Sequence, residues 1–212
     1  MAVSEVTQAN EAETRLLNSA LELFSEKGYE GTSIREIIEG AGVTRPVLYY
    51  YFENKEDLFR RVFETMFSQL IVRIEEAAAG DGACVDRLKA ILSAAFGLAE
   101  ENTRLVRLIL QVLFAPPQQG PPLDRGKLIR QRFKLVEQVI KDGLGNHELS
   151  GGDSQSLTLV FLGLMDMHMM AKFHRTETRL SPELANSLVA LFVAGAKYRE
   201  VPETSLVSPF IF

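Results

Sequence analysis

The sequence predicts an all-α protein in which an N-terminal domain of three short helices is followed by a larger C-terminal helical bundle. Apolar residues recur at helical spacing along the 212 residues, and no segment alternates as a half-buried strand does. Hydrophobic residues make up 46% of the sequence, enough to form the cores of two modest domains. We expect a flexible N-terminus at 1–9, a first domain at 10–56 and a second at 57–212.

The first predicted helix begins near Asn10 and ends at Gly28. Asn10 and Glu13 have the spacing of a capping box, and glycine commonly ends a helix. The apolar stripe of this helix consists of Leu16, Leu17, Ala20, Leu21 and Phe24. Its spacing is that of one buried side of an amphipathic helix.

Two shorter helices follow. Ser33 and Glu36 form a second capping box, and Gly42 ends that helix. Thr44 is the candidate N-cap of the third helix, and Pro46 falls in its first turn, where no backbone N–H is needed. This third helix ends near Phe52.

A longer fourth helix is predicted from a cap at Asn54 to about Ala79, before Gly80 and Gly82. Proline and glycine clusters separate the helices beyond it, and Ser181 and Pro182 provide the start signal of the last one. The predicted segments are Val85–Glu101, Thr103–Ala115, Asp124–Leu144, Asp153–Arg175 and Ser181–Arg199. No internal repeat is visible, and the apolar tail after Val201 has no predicted role.

Composition excludes several classes of protein. The single cysteine, Cys84, cannot form an intrachain disulfide or a multi-cysteine zinc site. The polar N-terminus lacks the apolar region of a signal peptide. Leu157–Phe173 carries Asp166, His168 and Lys172, so we expect it to be too short and too polar to span a membrane. A cytoplasmic protein without a cofactor is therefore expected.

The segment from Ser33 to Phe52 has the layout of a helix-turn-helix, with a tight turn at Ala41, Gly42 and Val43. Four successive aromatic residues, Tyr49 to Phe52, point over about 300° of a helix surface, so one core cannot bury them all. We expect Val43, Leu48 and Phe52 to face the core. The outward residues of this helix are Thr44, Arg45, Pro46, Tyr49, Tyr50 and Tyr51.

A hydroxyl and a guanidinium at a helix N-terminus can meet base edges in a major groove, and tyrosine hydroxyls can reach phosphates. We therefore predict DNA contacts from Thr44, Arg45 and the tyrosines. Lys55 is a candidate phosphate contact. Arg35 either contacts DNA or pairs with a neighbouring glutamate, and Ser33 is an N-cap first and a phosphate neighbour second.

Residues 10–60 also carry a dense motif. Its members are Leu16, Leu17, Ala20, Leu23, Phe24, Gly28, Tyr29, Gly31, Thr32, Ser33, Ile34, Ile37, Ala41, Gly42, Val43, Thr44, Leu48, Tyr49, Tyr51, Phe52, Lys55 and Leu58. With these residues the segment resembles the TetR family of transcriptional regulators. Ile38, where a small residue is usual, and Pro46-Val47 depart from the pattern, which leaves fewer hydrogen-bonding groups on the reading helix.

The resemblance implies a homodimer that represses transcription by occupying a palindromic operator and is released by a small molecule bound in the second domain. Reading helices about 34–36 Å apart would meet successive half-sites. It also implies a dimer interface made by the last two helices, with Leu184, Leu188, Leu191, Phe192 and Gly195 as its candidate residues.

The second domain has an apolar interior, part of which we expect to border an effector cavity. The candidate lining residues are Phe96, Leu110, Phe114, Phe133, Phe161, Met165, His168 and Met169. Methionine repacks readily and suits a promiscuous pocket, although an ordinary core is the alternative. The histidines and Asp166 do not have the spacing of a metal site.

Residues 1–55 hold five basic and nine acidic side chains, although a DNA-binding domain normally has a basic face. We expect the basic groups to lie together on the DNA side, with few phosphate ion pairs. The alternatives to a regulator are a small all-α enzyme and a protein-binding adaptor that uses the C-terminal pocket. No nucleophile–base pair or phosphate loop favours the enzyme.

Overall fold

The computed structural model describes residues 2–116, 123–174 and 179–196, without the side chains of 2–10 and 174. These residues form helices and no strand, which confirms the predicted all-α class. The helices are α1 Ala2–Lys27, α2 Ile34–Ala41, α3 Arg45–Tyr51, α4 Lys55–Ala78, α5 Cys84–Glu101, α6 Thr103–Phe114, α7 Arg125–Gly145, α8 Ser154–His174 and α9 Pro182–Gly195. The ends predicted at Arg175 and Arg199, and the apolar tail, lie outside the described residues.

Helix α1 begins at Ala2 rather than at Asn10. The predicted capping box at Asn10 is therefore wrong, and the segment that we expected to be flexible is helical. Residues 2–12 contain alanine, glutamate and glutamine but no proline or glycine, so nothing stops the helix from continuing upstream. The predicted end is confirmed, because Gly28 has φ +73° and its N–H bonds to the Phe24 carbonyl at 3.0 Å.

The chain divides into two compact units. The first comprises residues 1–68 and 104–123, and the second comprises residues 69–103 and 124–212. These limits do not coincide with the functional domains predicted at 10–56 and 57–212, and that functional division stays a prediction.

In the first unit, α1 packs closely against α2. The buried Ser19 hydroxyl donates to the Ile37 carbonyl at 3.0 Å, and a Cβ added at Gly40 would lie 2.5 Å from the Ser19 Oγ. Only glycine fits that approach without displacing Ser19. The contact fixes where α2 crosses α1, and hence where the following turn and α3 begin.

Aromatic rings form much of the remaining core of the first unit. Phe24 and Tyr29 each pack edge-on against Phe59, with centroids 4.9 and 5.2 Å away. Phe59 and Phe63 then stack along one side of α4. The cluster holds the N-terminal half of α4 against α1 and the turn that precedes α2.

In the second unit, α7 packs on α8, and α5 contacts α7, α8 and α9. Its core includes fully buried Phe96, Val136, Phe161 and Met165. Ser181 caps α9 by accepting a hydrogen bond from the Leu184 N–H at 3.2 Å, as the sequence predicts.

The expectation that Leu157–Phe173 is too short and too polar to cross a membrane is corrected. By length and composition alone, the 20 residues 154–173 of α8 are long and apolar enough for a membrane span. That is weak evidence, because a buried core helix passes the same test. Phe161 and Met165 are fully buried within the second unit, as in such a core helix.

Candidate DNA-binding site

The turn between α2 and α3 has the geometry of a helix-turn-helix. Gly42 is the left-handed C-cap of α2, with φ 61° and ψ 40°, and the Val43 N–H bonds to the Ile38 carbonyl at 3.1 Å. Thr44 is extended, with φ −95° and ψ 161°, and α3 starts at the next residue. The turn predicted at Ala41-Gly42-Val43 is confirmed.

The start of α2 is held by a complete capping box. Ser33 Oγ accepts from the Glu36 N–H at 3.2 Å, and the Ser33 N–H donates to Glu36 Oε2 at 2.9 Å. Lys27 Nζ lies 2.6 Å from Glu36 Oε1. Hydrogen bonds from Lys27 and Ser33 lower the pKa of the Glu36 carboxyl to about 2. The Ser33 hydroxyl is therefore used inside the protein, in the N-cap role that the sequence predicts.

The side chains of α3 and its C-cap, Phe52, fall into a buried and an exposed set. Leu48 and Phe52 are 0% and 1% exposed, whereas Tyr49 and Tyr50 are 45% and 79% exposed. Tyr51 is partly buried and packs edge-on against Tyr50, with centroids 4.9 Å apart. Leu48 and Phe52 therefore anchor the helix, and two tyrosines are presented to a partner.

Thr44, Arg45 and Pro46 are exposed at the N-terminus of α3. Thr44 occupies the N-cap position, but its side chain makes no capping hydrogen bond. The Arg45 guanidinium lies 5.7 Å from the centroid of the Tyr49 ring. A hydroxyl, a guanidinium and two phenols are thus available together on the outer side of α3.

Two of the predicted basic contacts are engaged within the first unit. Arg35 Nε lies 2.8 Å from Glu39 Oε1 on the same helix, which is one of the two alternatives open for this residue. Lys55 Nζ donates to the Thr32 carbonyl at 2.8 Å and lies 4.1 Å from the centroid of the Tyr29 ring.

Arg15 is a candidate that sequence reasoning missed. It is exposed on α1, and its Nη1 would lie 3.8 Å from a Cβ built on Gly42, so the guanidinium lies beside the turn that leads into α3. Periodicity places Arg15 next to the buried Leu16, but the local sequence carries no signal that this side of α1 meets the turn. A cation at this place can bind a DNA phosphate next to the reading helix.

The predicted effector residues fall in two places. Phe96, Phe161, Met165 and Met169 are fully buried in the second unit. His168 is partly buried there, and its Nδ1 lies 2.7 Å from the Leu164 carbonyl. This contact lies within α8, so Nε2 is the ring nitrogen that remains available to a ligand.

Three further effector candidates differ from this set. Phe133 is partly buried on α7 in the second unit. Leu110 and Phe114 belong to α6, which groups with the first unit. Phe114 is 55% exposed, so its predicted place in the bundle interior is wrong. Four of the last five residues of α6 are apolar, and the helix cannot turn all of them inward.

An open groove of about 380 Å³ in the second unit was not predicted. It lies between the end of α4, the start of α5 and α7, and its surface is mostly apolar. None of the predicted effector residues lines it. Its lining residues are Glu75, Ala78, Ala79, Arg87, Gln131, Lys134, Leu135 and Gln138. These residues come from three helices, and no local pattern joins them.

The candidate interface residues on α9 differ in their exposure to solvent. Leu191 is 67% exposed, Gly195 is exposed, and Leu184 and Leu188 are partly buried. Phe192 is only 5% exposed and packs edge-on against Phe161 at 5.6 Å. Its assignment to the interface is therefore wrong, because the helical turn directs it into the core of its own subunit.

Helix α8 adds apolar groups that sequence reasoning did not select. Val160 and Met167 are 55% and 58% exposed, and a Cβ at Gly163 would meet open space. Two exposed apolar side chains thus flank a glycine on α8. Among the described residues, no group of three or more His, Cys, Asp or Glu side chains is placed to hold a metal ion.

Comparison with known proteins agrees with this geometry. The profile of the family described as "Bacterial regulatory proteins, tetR family" matches residues 16–62. The transcriptional regulator AcrR of Shigella flexneri is 33% identical over 146 residues, which cover 66% of this chain and 68% of AcrR. The fatty acid metabolism regulator protein of Bacillus subtilis is 22% identical over 182 residues, covering 85% of this chain and 93% of that protein.

The fold also resembles solved structures. The transcriptional regulator FadR from Bacillus subtilis, in complex with stearoyl-CoA, superposes with a TM-score of 0.73 and 23% identity, covering 86% of this chain and 98% of that one. The matched residues 16–62 include the capping box, the turn and α3, where the exposed hydroxyl, guanidinium and phenols lie. The chain therefore belongs to the TetR family of bacterial regulatory proteins and is a DNA-binding transcriptional regulator of the helix-turn-helix class.

Proposed function

We propose that the protein is a homodimeric repressor that occupies a palindromic operator and is released by a small apolar or amphipathic effector. The observation that carries this proposal is the division of α3. Leu48 and Phe52 are buried beneath it, while Thr44, Arg45 and Tyr49 are exposed on its outer side. The two exposed phenol rings and the guanidinium on this side add nothing to the buried core, and they are accessible to a partner.

The chemistry of α3 suits a major groove. A guanidinium can donate two hydrogen bonds to guanine, and a threonine side chain can bond either base edge or meet a thymine methyl. Arg45 and Thr44 occupy the helix N-terminus, which enters the groove first in this class of domain. Tyr49 and Tyr50, further along, have hydroxyls for phosphate oxygens.

A second copy of the chain is the proposed partner of α8 and α9. Leu191, Val160 and Met167 are each more than half exposed, and glycines at 163 and 195 offer room for a close approach. Exposed apolar patches on a small protein commonly mark an interface. A two-fold interface uses the same patch on both copies, so one such surface is enough for a dimer.

The effector is proposed to enter the second unit among Phe96, Phe161, Met165 and Met169. These side chains are apolar, and methionine can repack around a chain-like ligand. A long-chain acyl-CoA is the first candidate, because the structurally similar FadR binds stearoyl-CoA. Such a ligand releases DNA only if it binds the DNA-free arrangement more tightly than the DNA-bound one.

Selection of bound duplexes from genomic fragments, followed by mobility shift, tests the DNA-binding part. We expect a palindromic site bound by two protomers. Titration of the complex with stearoyl-CoA, with free coenzyme A as the matched control, then tests the effector. Release by stearoyl-CoA alone supports the apolar class, and release by both would assign recognition to the nucleotide portion.

A reporter gene placed behind the selected site tests repression. Expression that rises on deletion of the regulator supports a repressor, whereas expression that falls would make it an activator. Failure to recover any specific duplex would contradict the proposal as a whole.

A further inference from the structure

Arg132 and Asp166 face each other inside the second unit, where α7 packs on α8. Nη1 and Nη2 of the guanidinium lie 2.6 and 2.7 Å from the two carboxylate oxygens. The Nε–H of Arg132 has no hydrogen-bond partner among the residues that the structure describes, although the side chain is buried. Buried donors in folded proteins are nearly always paired, so an unpaired one calls for an acceptor.

The charge of the surroundings restricts which acceptor can reach Nε. Arg132 and Asp166 are the charged residues among those that are buried in the described part of the chain, and their charges cancel. A second anion beside this pair would add an unbalanced charge to the interior, which is costly. A neutral acceptor, such as the carbonyl oxygen of a thioester or an ester, keeps the balance and satisfies the donor.

The pair is bordered by apolar side chains. Asp166 directly follows Met165 and precedes Met169 by one helical turn, and both methionines are fully buried. Val136, one turn after Arg132 on α7, is also fully buried. Methionine side chains repack readily around a guest molecule. Apolar walls with a few placed polar groups are the usual composition of a small-molecule site.

We propose that Arg132 Nε is the polar contact of the effector, and that it donates a hydrogen bond to a neutral acyl carbonyl at the end of an apolar chain. The inference rests on the proposed function, because it places the head of the effector beside the chain-binding Met165 and Met169. Asp166 is a positioning residue here, since it orients the guanidinium through both Nη atoms and neutralises its charge.

Two coenzyme A derivatives separate the carbonyl from the rest of the ligand. Stearoyl-CoA has a thioester carbonyl, whereas S-octadecyl-CoA carries a methylene group in its place and is otherwise the same. Calorimetric titration of the full chain without DNA, below the micellar concentration of either ligand, measures both affinities. We expect stearoyl-CoA to bind about 10- to 100-fold more tightly, as for a hydrogen bond to a charged group. Equal affinities, or binding of neither ligand, would overturn the proposal.

Arg132→Met combined with Asp166→Leu removes the donor and its counter-ion together, so that no charge is left buried. We expect this double variant to bind both derivatives equally, with the affinity that the wild type has for S-octadecyl-CoA. Arg73→Met is the matched control, because Arg73 pairs with the exposed Glu101 in the same unit. It should keep the wild-type preference. A double variant that still preferred stearoyl-CoA would assign the preference to other residues and overturn the proposal.

Nitrogen-15 NMR of the arginine side chains of the wild type covers the case in which the double variant does not fold. The buried Nε–H of Arg132 should exchange slowly with solvent and give a resonance of its own. We expect its proton to move downfield on addition of stearoyl-CoA and to stay near its ligand-free position with S-octadecyl-CoA. Equal displacement by both ligands would overturn the proposal.

Stearate tests the charge of the head group. We expect it to bind more weakly than stearoyl-CoA, because its carboxylate adds an unbalanced charge beside Asp166. Stearate that bound as tightly would overturn the neutral class of ligand. The operator mobility shift is a separate measurement. Binding of stearoyl-CoA through Nε without release of DNA would refute the proposed effector function alone, whereas release without preference for the thioester would refute only this inference.

Discussion

Arg132 on α7 and Asp166 on α8 form a buried two-point ion pair. Nη1 and Nη2 lie 2.6 and 2.7 Å from the two carboxylate oxygens, and the residues are 5% and 4% exposed. Nε of Arg132 has no hydrogen-bond partner among the residues that the structure describes. The guanidinium therefore depends on Asp166 for its neutralisation.

Asp166→Leu should destabilise the protein strongly, because it leaves the Arg132 charge buried without a counter-ion. Removal of one member of a buried pair typically costs about 3–5 kcal/mol. Urea unfolding followed by circular dichroism measures the loss. We expect Arg132→Met combined with Asp166→Leu to recover most of it, since two apolar side chains fill the same space. A double variant no more stable than Asp166→Leu would contradict this account.

Cys84 is predicted to be unreactive in the folded protein. It is 2% exposed, and burial, followed by the charge of Glu148, raises the pKa of its thiol to about 11. At pH 8 the thiolate fraction is then about 100-fold lower than for a free cysteine of pKa near 9. Labelling by iodoacetamide should be at least that much slower than in urea, and its rate should rise with pH. Equal rates in both states would show that the thiol is accessible.

The Glu36 carboxyl should titrate with a midpoint near 2. Hydrogen bonds from Lys27 and Ser33 lower its pKa from 4.5 to about 2. Because the folded pKa is depressed, the stability that this group contributes is present above pH 4.5 and is lost as pH falls toward 2. Carbon-13 NMR of the side-chain carboxyl follows the midpoint. Lys27→Met should raise it, and a midpoint unaffected by that change would remove Lys27 as the main cause.

Several local features of this chain could be predicted from sequence because short-range chemistry determines them. Ser33 with Glu36, Gly42 and Ser181 with Pro182 act on backbone groups a few residues away, so spacing alone identifies them. The separation of Leu48 from Tyr49 follows from helix geometry once one buried residue is known.

The rest depends on contacts between distant residues. Lys55 meets Thr32, which is 23 positions away, and no periodicity encodes that contact. The predicted interface role of Phe192 is wrong because α9 is apolar nearly all round, so hydrophobicity cannot distinguish its core face from an interface. The Arg132–Asp166 pair joins helices whose relative rotation the sequence does not reveal.

Leu191→Glu should convert the proposed dimer into a monomer. Leu191 is 67% exposed on α9, and a carboxylate there would be desolvated in the interface and would lie near its own copy across the two-fold axis. Sedimentation velocity measures the change in mass. Val72→Glu is the matched control, because Val72 is also apolar and 48% exposed but lies on α4. Dissociation by Val72→Glu instead would place the interface elsewhere.

Arg45→Ala is expected to weaken binding to the selected operator by about 1–3 kcal/mol for each half-site, as for loss of a guanidinium–base contact, and to leave the dimer intact. Arg45 and Arg15 have no carboxylate partner in the described part of the first unit, whereas Lys27, Arg35, Arg60, Arg61 and Arg104 do. Mobility shift with Arg130→Ala as control measures the loss.

The ion pairs of these basic residues predict that the DNA affinity of the wild-type protein depends only weakly on salt concentration. Arg15 and Arg45, which have no carboxylate partner in the described part of the first unit, give four such arginines per dimer. At about 0.9 per phosphate contact, the magnitude of the slope is then at most about 4. The carboxylates that pair with Lys27, Arg35, Arg60, Arg61 and Arg104 would have to be displaced before these basic groups could reach phosphate. A measured slope near −10 would mean that DNA breaks these ion pairs, and that the acidic residues of the first unit do not limit its electrostatic attraction to DNA.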